Sequence, residues 1–444
     1  MATNHDNLKD VAESAVRLSL KKGANQASGR AYRVREVSVT WRDGKLEKIH
    51  EATTRGVGIS LYVDGRYSTV STSDLRPEAL ETFVGDAVAL TKSLAKDPFR
   101  ALPDPKLYEG QAKIDLKLED PKYAAVTPEE RRRIVREIEA AARGVKGSEA
   151  IISVTTDFSD TLSESWRVAS NGFSGGRRDT TFFASAQVSV KEADGRKPED
   201  YAFAGARFFG ELPEVASVGR EASERTIRSI GSKKADSAVL PMVLENRAAG
   251  RMAAFLQGPL SGGSLQQKRS FYEGKLGQTI GSPLLTVTDD PHVPKGFGSR
   301  LFDGEGLAAK VMPVFENGVL RNYFIDTYYA KKLGMAPTTG GLSNATWALG
   351  TKGRDALLSG IADGILVTSF LGGNSNGTTG DFSLGVRGFR IRKGAIAEPV
   401  SEMNISGNHL EFWKRLVAVG NDPYPYSAIR TPTLVFDAVQ FAGV

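Results

Sequence analysis

The 444-residue chain contains no cysteine. That excludes disulfides, thiol nucleophiles, cysteine-ligated zinc and iron–sulfur clusters together. Histidine is scarce, with four residues: His5, His50, His292 and His409. No two of them stand at the spacing of a helical or strand metal pair, and no H-E-x-x-H occurs. The G-x-S-x-G, Walker A and strand-borne G-x-G-x-x-G patterns are absent too. No apolar run reaches the roughly 18 residues needed to span a bilayer. The polar start MATNHDNLKD lacks a signal-peptide pattern, so a cytoplasmic location is the expectation. The net charge is +6. Lys and Arg are scattered among acids, however, rather than gathered into a basic stripe, which argues against nucleic-acid binding.

Glycine is abundant, 47 of 444 residues, as in a turn-rich protein with much β-structure. Residues 8–20 carry Leu8, Val11, Ala15 and Leu18 at helical spacing. The period then switches to two. Val37, Val39 and Trp41 run to Asp43-Gly44, and Val57, Ile59, Leu61 and Val63 run to Asp64-Gly65. These patterns predict an antiparallel meander over 30–72. A helix over 77–95 should pack on it through Leu80, Phe83, Val84, Ala87 and Val88. After a proline-rich connection at 98–126, Thr127, Pro128 and Glu130 form a capping box. The helix they open should bury Ile134, Ile138, Ala141 and Val145 and end at Gly147. A hairpin at Asn171-Gly172, strands to about 209 and a helix over 213–230 complete this half.

The small polar stretch GSKKADS at 231–237 is read as a boundary. It divides the chain into an α+β domain at 1–231, an antiparallel sheet with helices, and a β-rich domain at 238–444 of mostly antiparallel strands. In the second domain, turns are expected at Asn317-Gly318 and Lys393-Gly394, and helices at 243–257 and 408–418.

The densest chemistry lies in DDPHVPKGFGSRLFDGEG, residues 289–306. Asp289, Asp290, His292, Asp303 and Glu305 could bind a divalent metal in principle, and a hydrolase built on this loop is one reading. With a single histidine between prolines, an ordered structural or binding loop is favoured. Gly296, Gly298, Gly304 and Gly306 would supply its tight turns. His50 and His409 read as surface or packing residues. Ser19 begins an S-x-x-K match inside the first amphipathic helix, without companion motifs. The GGNSNGTTGD loop at 372–381 reads as a flexible connection, with anion or peptide binding by its N–H groups as the alternative.

Several stretches in order resemble the TldD/PmbA family, also known as modulators of gyrase. They are WRDGKLEKI, TTRGVGISLYVDGRYSTVSTSDL, SFYEGKLGQTI, the 289–306 segment, NGVLRNYFIDTYYAKKLG, and the closing VAVGND and RTPTLVFDAVQFAG. The resemblance spans nearly the whole chain. It implies a heterodimeric peptidase in which the TldD branch carries H-E-x-x-x-H on a helix, with a later cysteine as a further zinc ligand. The implied chemistry is a Zn²⁺-activated water with the Glu as base. The corresponding helix here reads VLENRAAGRMAAF. Asn246 stands at the first histidine, Arg247 at the glutamate and Arg251 at the second histidine. Arginine keeps its proton and offers no lone pair, and asparagine is a weak oxygen ligand.

The chain therefore resembles the PmbA, or TldE, branch. The resemblance implies no catalytic residue and no metal here, zinc in a TldD-like partner, and an unfolded peptide as substrate. The 289–306 segment is common to both branches, which implies architecture more than catalysis. Arg247, Arg251, His292, Asp303 and Glu305 remain candidates for substrate or partner contact. The alternative is a homodimeric peptide-binding or scaffold protein without peptidase activity.

Overall fold

The computed structural model describes residues 8–444; His5 lies outside the described residues. Helix α1 (Leu8–Lys21) buries Val11, Ala12, Ala15 and Val16. Strands β1 (Gln26–Arg42), β2 (Lys45–Val63) and β3 (Arg66–Thr72) follow as the expected antiparallel meander, which starts a few residues early. Both turns need positive φ at two successive residues. Asp43 and Gly44 adopt 46° and 80°, and Asp64 and Gly65 adopt 50° and 76°. Asp-Gly tolerates such angles, so the pattern and the turn chemistry agree. Helix α2 (Pro77–Thr91) lays Leu80, Val84, Ala87 and Val88 on the sheet, with Phe83 half-buried.

Helix α3 (Pro128–Arg143) starts with the Thr127 half of the expected capping box, the Glu130 N–H donating to Thr127 Oγ1 at 3.1 Å, while the Glu130 carboxylate turns to Arg133 instead of closing the box. Its buried row is Ile134, Val135, Ile138 and Ala142. Ala141 and Val145, expected inside, are half-buried, and the helix stops at Arg143 with Gly144 as its cap. Strands β4 (Ile151–Ala169), β5 (Ser174–Val190) and β6 (Glu199–Ala206) then complete one six-stranded sheet, ordered β3-β2-β1-β4-β5-β6. Helix α4 (Val215–Arg228) crosses α3 at close range: a Cβ on Gly219 would lie 2.0 Å from the Ile138 carbonyl oxygen.

All four helices pack on the same face of this sheet. A Cβ on Gly29 would meet the backbone of Ala12 in α1, and Phe158, Ala184 and Ala204 share a core with Ile134, Ile138, Val218 and Ala222. Side chains alternate along a strand, so Ser28 and Arg30 of β1, with their cross-strand neighbours, face away from the helices.

A second architecture starts at β7 (Ala238–Leu244). With β12 (Asp363–Phe370), β14 (Asp381–Arg392), β15 (Ala395–Asn408) and β18 (Leu434–Ala442) it forms a ring. Neighbouring strands pair in the order β12-β7-β18-β15-β14, and β14 pairs back onto β12. Only β12·β7 is parallel in that ring. Closure removes the free edges that an open sheet would expose. β13 (Asn374–Ser375) and β16 (Leu416–Val419) add to its rim. A smaller sheet holds β8 (Val287–Asp289), β9 (Met312–Glu316), β10 (Val319–Leu320), β11 (Ala345–Trp347) and β17 (Ile429–Arg430). The helices of this half are short: α5 (Asn246–Ala254), α6 (Gly262–Gln266), α7 (Thr327–Leu333), α8 (Arg354–Leu358) and α9 (His409–Phe412). Turns fall at Asn317-Gly318 and Lys393-Gly394 with positive φ, as expected.

Two expected helices are corrected. Val243 and Leu244 belong to β7, flanked by β12 and β18, so sheet pairing on both sides ends the helical reading before Asn246. The 408–418 segment is helical only at His409–Phe412. It tightens at Trp413–Arg415, where Trp413 is fully buried, and becomes β16 from Leu416. The apolar residues there serve a sheet edge and an anchor, and the short run cannot distinguish these from a helix.

Candidate functional site

Helix α5 follows directly from β7 and turns Ala248, Ala249 and Met252 into the barrel core. That leaves Asn246, Arg247 and Arg251 toward the first sheet and the neighbouring loops. Asn246 is occupied at both ends of its amide. Nδ2 donates to the Asp422 carbonyl at 2.8 Å, and Oδ1 accepts from the Arg247 N–H at 2.7 Å. The Arg247 guanidinium lies 3.7 Å from the Tyr201 ring centroid, donates to the Tyr201 carbonyl at 2.6 Å, and stands 3.6 Å from Asp200. Arg251 donates to the Phe370 carbonyl at 3.1 Å and has no carboxylate within 4.0 Å among the described residues. Of the two arginines on the helix, Arg247 is thus paired with this chain's own Asp200 and Arg251 is not.

A cavity of about 270 Å³ separates α5 from the edge strand β6, lined by Glu199, Asp200, Arg247, Arg251, Phe370 and Arg387 among others. A second, of about 230 Å³, lies behind it beside α4. Asp200 separates the two and faces three guanidiniums: Arg387 at 3.2 Å, Arg225 at 3.5 Å and Arg247 at 3.6 Å. Arg225 also pairs with Glu245 at 2.9 Å. Burial works to lower the Arg225 pKa, but Glu245 and Asp200 overcome it and the net shift is upward. Burial raises the pKa of nearby Glu221, with Arg225 opposing. None of Asp200, Arg225, Glu245 or Arg387 was expected from the sequence. They come from four separate elements, and no local pattern links them.

The groups at the helix do not suit a divalent cation. Two arginines offer no lone pair, and the asparagine oxygen is already engaged. Among the described residues no three His, Asp or Glu side chains gather as a metal-binding group.

The 289–306 segment is ordered by its own acids. Asp289 is buried and accepts from the Ser343 N–H at 2.7 Å and from the Ser343 hydroxyl; burial raises its pKa against those bonds. Asp290 accepts from the His292 N–H at 2.8 Å. His292 Nε2 is buried without a hydrogen-bond partner among the described residues. Asp303 is buried, and its Oδ1 accepts from the N–H groups of Glu305 and Leu307 at 2.9 and 3.0 Å. Glu305 holds the start of α7, accepting from the Thr327 N–H at 2.8 Å and its hydroxyl at 2.6 Å. Burial again raises its pKa. These acids bind loops together and do not converge on a common point.

His50 is exposed on β2. His409 is a packing residue: 1% exposed, stacked on Phe271 at 5.5 Å, with Nε2 2.9 Å from Ser375 Oγ. Ser19 is fully buried and bonds the Ala15 carbonyl at 2.7 Å inside α1. The 372–381 loop pairs with β14 through β13 and turns at Asn376, whose Oδ1 accepts from the Thr378 N–H at 2.9 Å.

Three family models match the chain. They describe PmbA/TldA metallopeptidase domain 1 at residues 27–91, the central domain at 121–230 and the C-terminal domain at 237–443. The Metalloprotease PmbA of Escherichia coli O157:H7 is 28% identical over 98% of this chain and 97% of its own. A crystal structure from Bacteroides thetaiotaomicron, assigned as a modulator of DNA gyrase, is 39% identical, covers 100% of both chains and superposes with a TM-score of 0.96. TldE from Thermococcus kodakarensis shares the fold, with a TM-score of 0.88 at 19% identity over 98% of this chain and 100% of its own. On the fold, the ordered 289–306 segment and these matches, the chain belongs to the PmbA/TldD family.

Proposed function

We propose that this protein is the non-catalytic subunit of a cytoplasmic, heterodimeric TldD/TldE-type metalloprotease. A TldD-like partner would supply zinc, base and nucleophilic water. The observation that carries this reading is the chemistry of α5. Where a zinc-bearing helix needs lone pairs, this helix presents an engaged amide and two protonated guanidiniums, one beside Asp200. A second cation placed there would meet repulsion.

The chain's own work in this reading is to help enclose an unfolded peptide and hold it extended. Strand addition to a sheet edge would do so with backbone bonds. The start of β6 is closed to such pairing, because Arg387 and Arg247 donate to the Glu199 and Tyr201 carbonyls. On the other edge of the sheet, β3 covers β2 only from Val57 to Val63. The Lys45–Gly56 stretch is the edge left for a guest strand.

The test is mixing with a TldD-like chain, followed by gel filtration and hydrolysis of an unfolded peptide. Co-elution and a gain of peptidase activity over the partner alone are expected. No co-elution and no gain would overturn the reading.

A further inference from the structure

On the helix-free face of the first sheet, two arginines stand directly opposite one another on neighbouring strands. Arg30 of β1 pairs in register with Arg167 of β4. The row continues to Gly58 on β2, Ser71 on β3 and Gly175 on β5. Directly opposed residues of an antiparallel pair share a face and lie close, and like charges so placed destabilise the sheet. Neither arginine has a carboxylate within 4.0 Å among the described residues, although most arginines of this chain do. Arg167 is half-buried, and its one side-chain hydrogen bond among the described residues is a long one, 3.5 Å to Ser28 Oγ.

The surroundings leave room on the Arg30 side of the pair, while Ala169, Leu102 and Phe173 pack beside Arg167. A Cβ on Gly58 would meet nothing within 4 Å. At the other end of the row, Phe302 closes over Gly175, bringing the 303–305 turn to the rim. Asp303 and Glu305 attract Arg167 from there, but both are held by their own loop and by Thr327. Burial, and then Arg30, pull the Arg167 pKa down. The pair is therefore a concentration of positive charge that no carboxylate among the described residues contacts directly, with Asp303 and Glu305 acting on Arg167 only at longer range.

We propose that Arg30 and Arg167 together hold a carboxylate of the bound peptide on the open face of the first sheet. Two planar forks in one row suit a carboxylate, which each can bind through paired N–H donors. The inference rests on the peptide-handling reading for its ligand. That carboxylate is the C-terminus of the peptide or an acidic side chain within it, and the two present the same chemistry.

Four probes separate the possibilities in a calorimetric titration at low ionic strength: acetyl-trialanine with a free C-terminus, acetyl-trialanine amide, acetyl-Ala-Glu-Ala amide, and inorganic phosphate. The wild-type protein is expected to bind one or both carboxylate peptides at least about tenfold more tightly than the neutral amide. A free-acid preference identifies the C-terminus, and a Glu preference identifies the side chain. Arg30→Ala and Arg167→Lys should each abolish the preference. The ligand-free Arg30→Ala protein should melt at or above the wild-type temperature, because like-charge repulsion is relieved. That readout also guards against a folding defect. No preference for carboxylate, a preference unmoved by both substitutions, or binding of phosphate alone would overturn the proposal. A peptidase gain on mixing with the partner, without arginine-dependent binding, would sink this site and leave the subunit reading standing. Arginine-dependent binding without any peptidase gain would do the reverse.

Discussion

Asp200, on the edge strand of the first sheet, lies 3.2 Å from Arg387 on barrel strand β14. The contact joins residues 187 positions apart and is reinforced by Arg225 and Arg247 on the same carboxylate. Asp200 is 6% exposed, so removing it leaves Arg387 and Arg247 without a carboxylate at a buried junction, while Arg225 keeps Glu245. Asp200→Ala should destabilise the protein by about 3 kcal/mol, the scale for breaking a buried pair from one side. Urea unfolding monitored by fluorescence measures this. An unchanged midpoint would show the cluster to be solvated.

His409 supplies a pH dependence. Burial lowers its pKa from 6.5 to about 4. Between those values the unfolded chain binds more protons than the folded one, so stability falls as pH drops from about 6.5 towards 4 and is fully present above that window. The contribution of this one residue is at most about 3 kcal/mol. His409→Gln should flatten the dependence of the unfolding midpoint between pH 8 and pH 5. Equal slopes in wild type and variant would refute the assignment.

Two glycines of the 289–306 segment should behave differently. A Cβ on Gly298 would lie 1.9 Å from the Ser343 carbonyl oxygen, while one on Gly304 meets nothing within 4 Å. Gly298→Ala must push apart backbone that Asp289 and Asn344 hold together. It should cost about 2 kcal/mol or more, the scale of overpacking. Gly304→Ala should stay within about 0.5 kcal/mol. Thermal melting of the two variants compares them directly.

Thr127 is the cap of α3, whose far side carries much of the first core. Thr127→Ala should lose about 1 kcal/mol and Thr127→Ser much less, because the serine hydroxyl still accepts from the Glu130 N–H. Calorimetric melting of both variants checks the order.

Local signals carried far in the first half. Asp43-Gly44, Asp64-Gly65 and the Thr127 cap each depend on a few adjacent residues, and each stands where the pattern placed it. In the second half many strands, β7 among them, are short, so apolar runs such as 243–257 fit helix and strand alike, and pairing partners decided. The candidate site divides the same way. That α5 offers no histidine or carboxylate at these positions is legible in Asn246, Arg247 and Arg251 alone. That Arg247 answers to Asp200, or that Arg30 opposes Arg167, is not.

From its sequence alone this protein declared its family resemblance, its turn positions and the absence of zinc donors on one helix, because each depends on residue identity or on neighbours a few positions away. Only the tertiary structure closed five strands into a ring, tied Asp289, Asp303 and Glu305 into loop anchors, and gathered Asp200, Arg225 and Arg387. Those outcomes turn on strand register and long-range burial, and chain separations of this size leave no mark on local spacing.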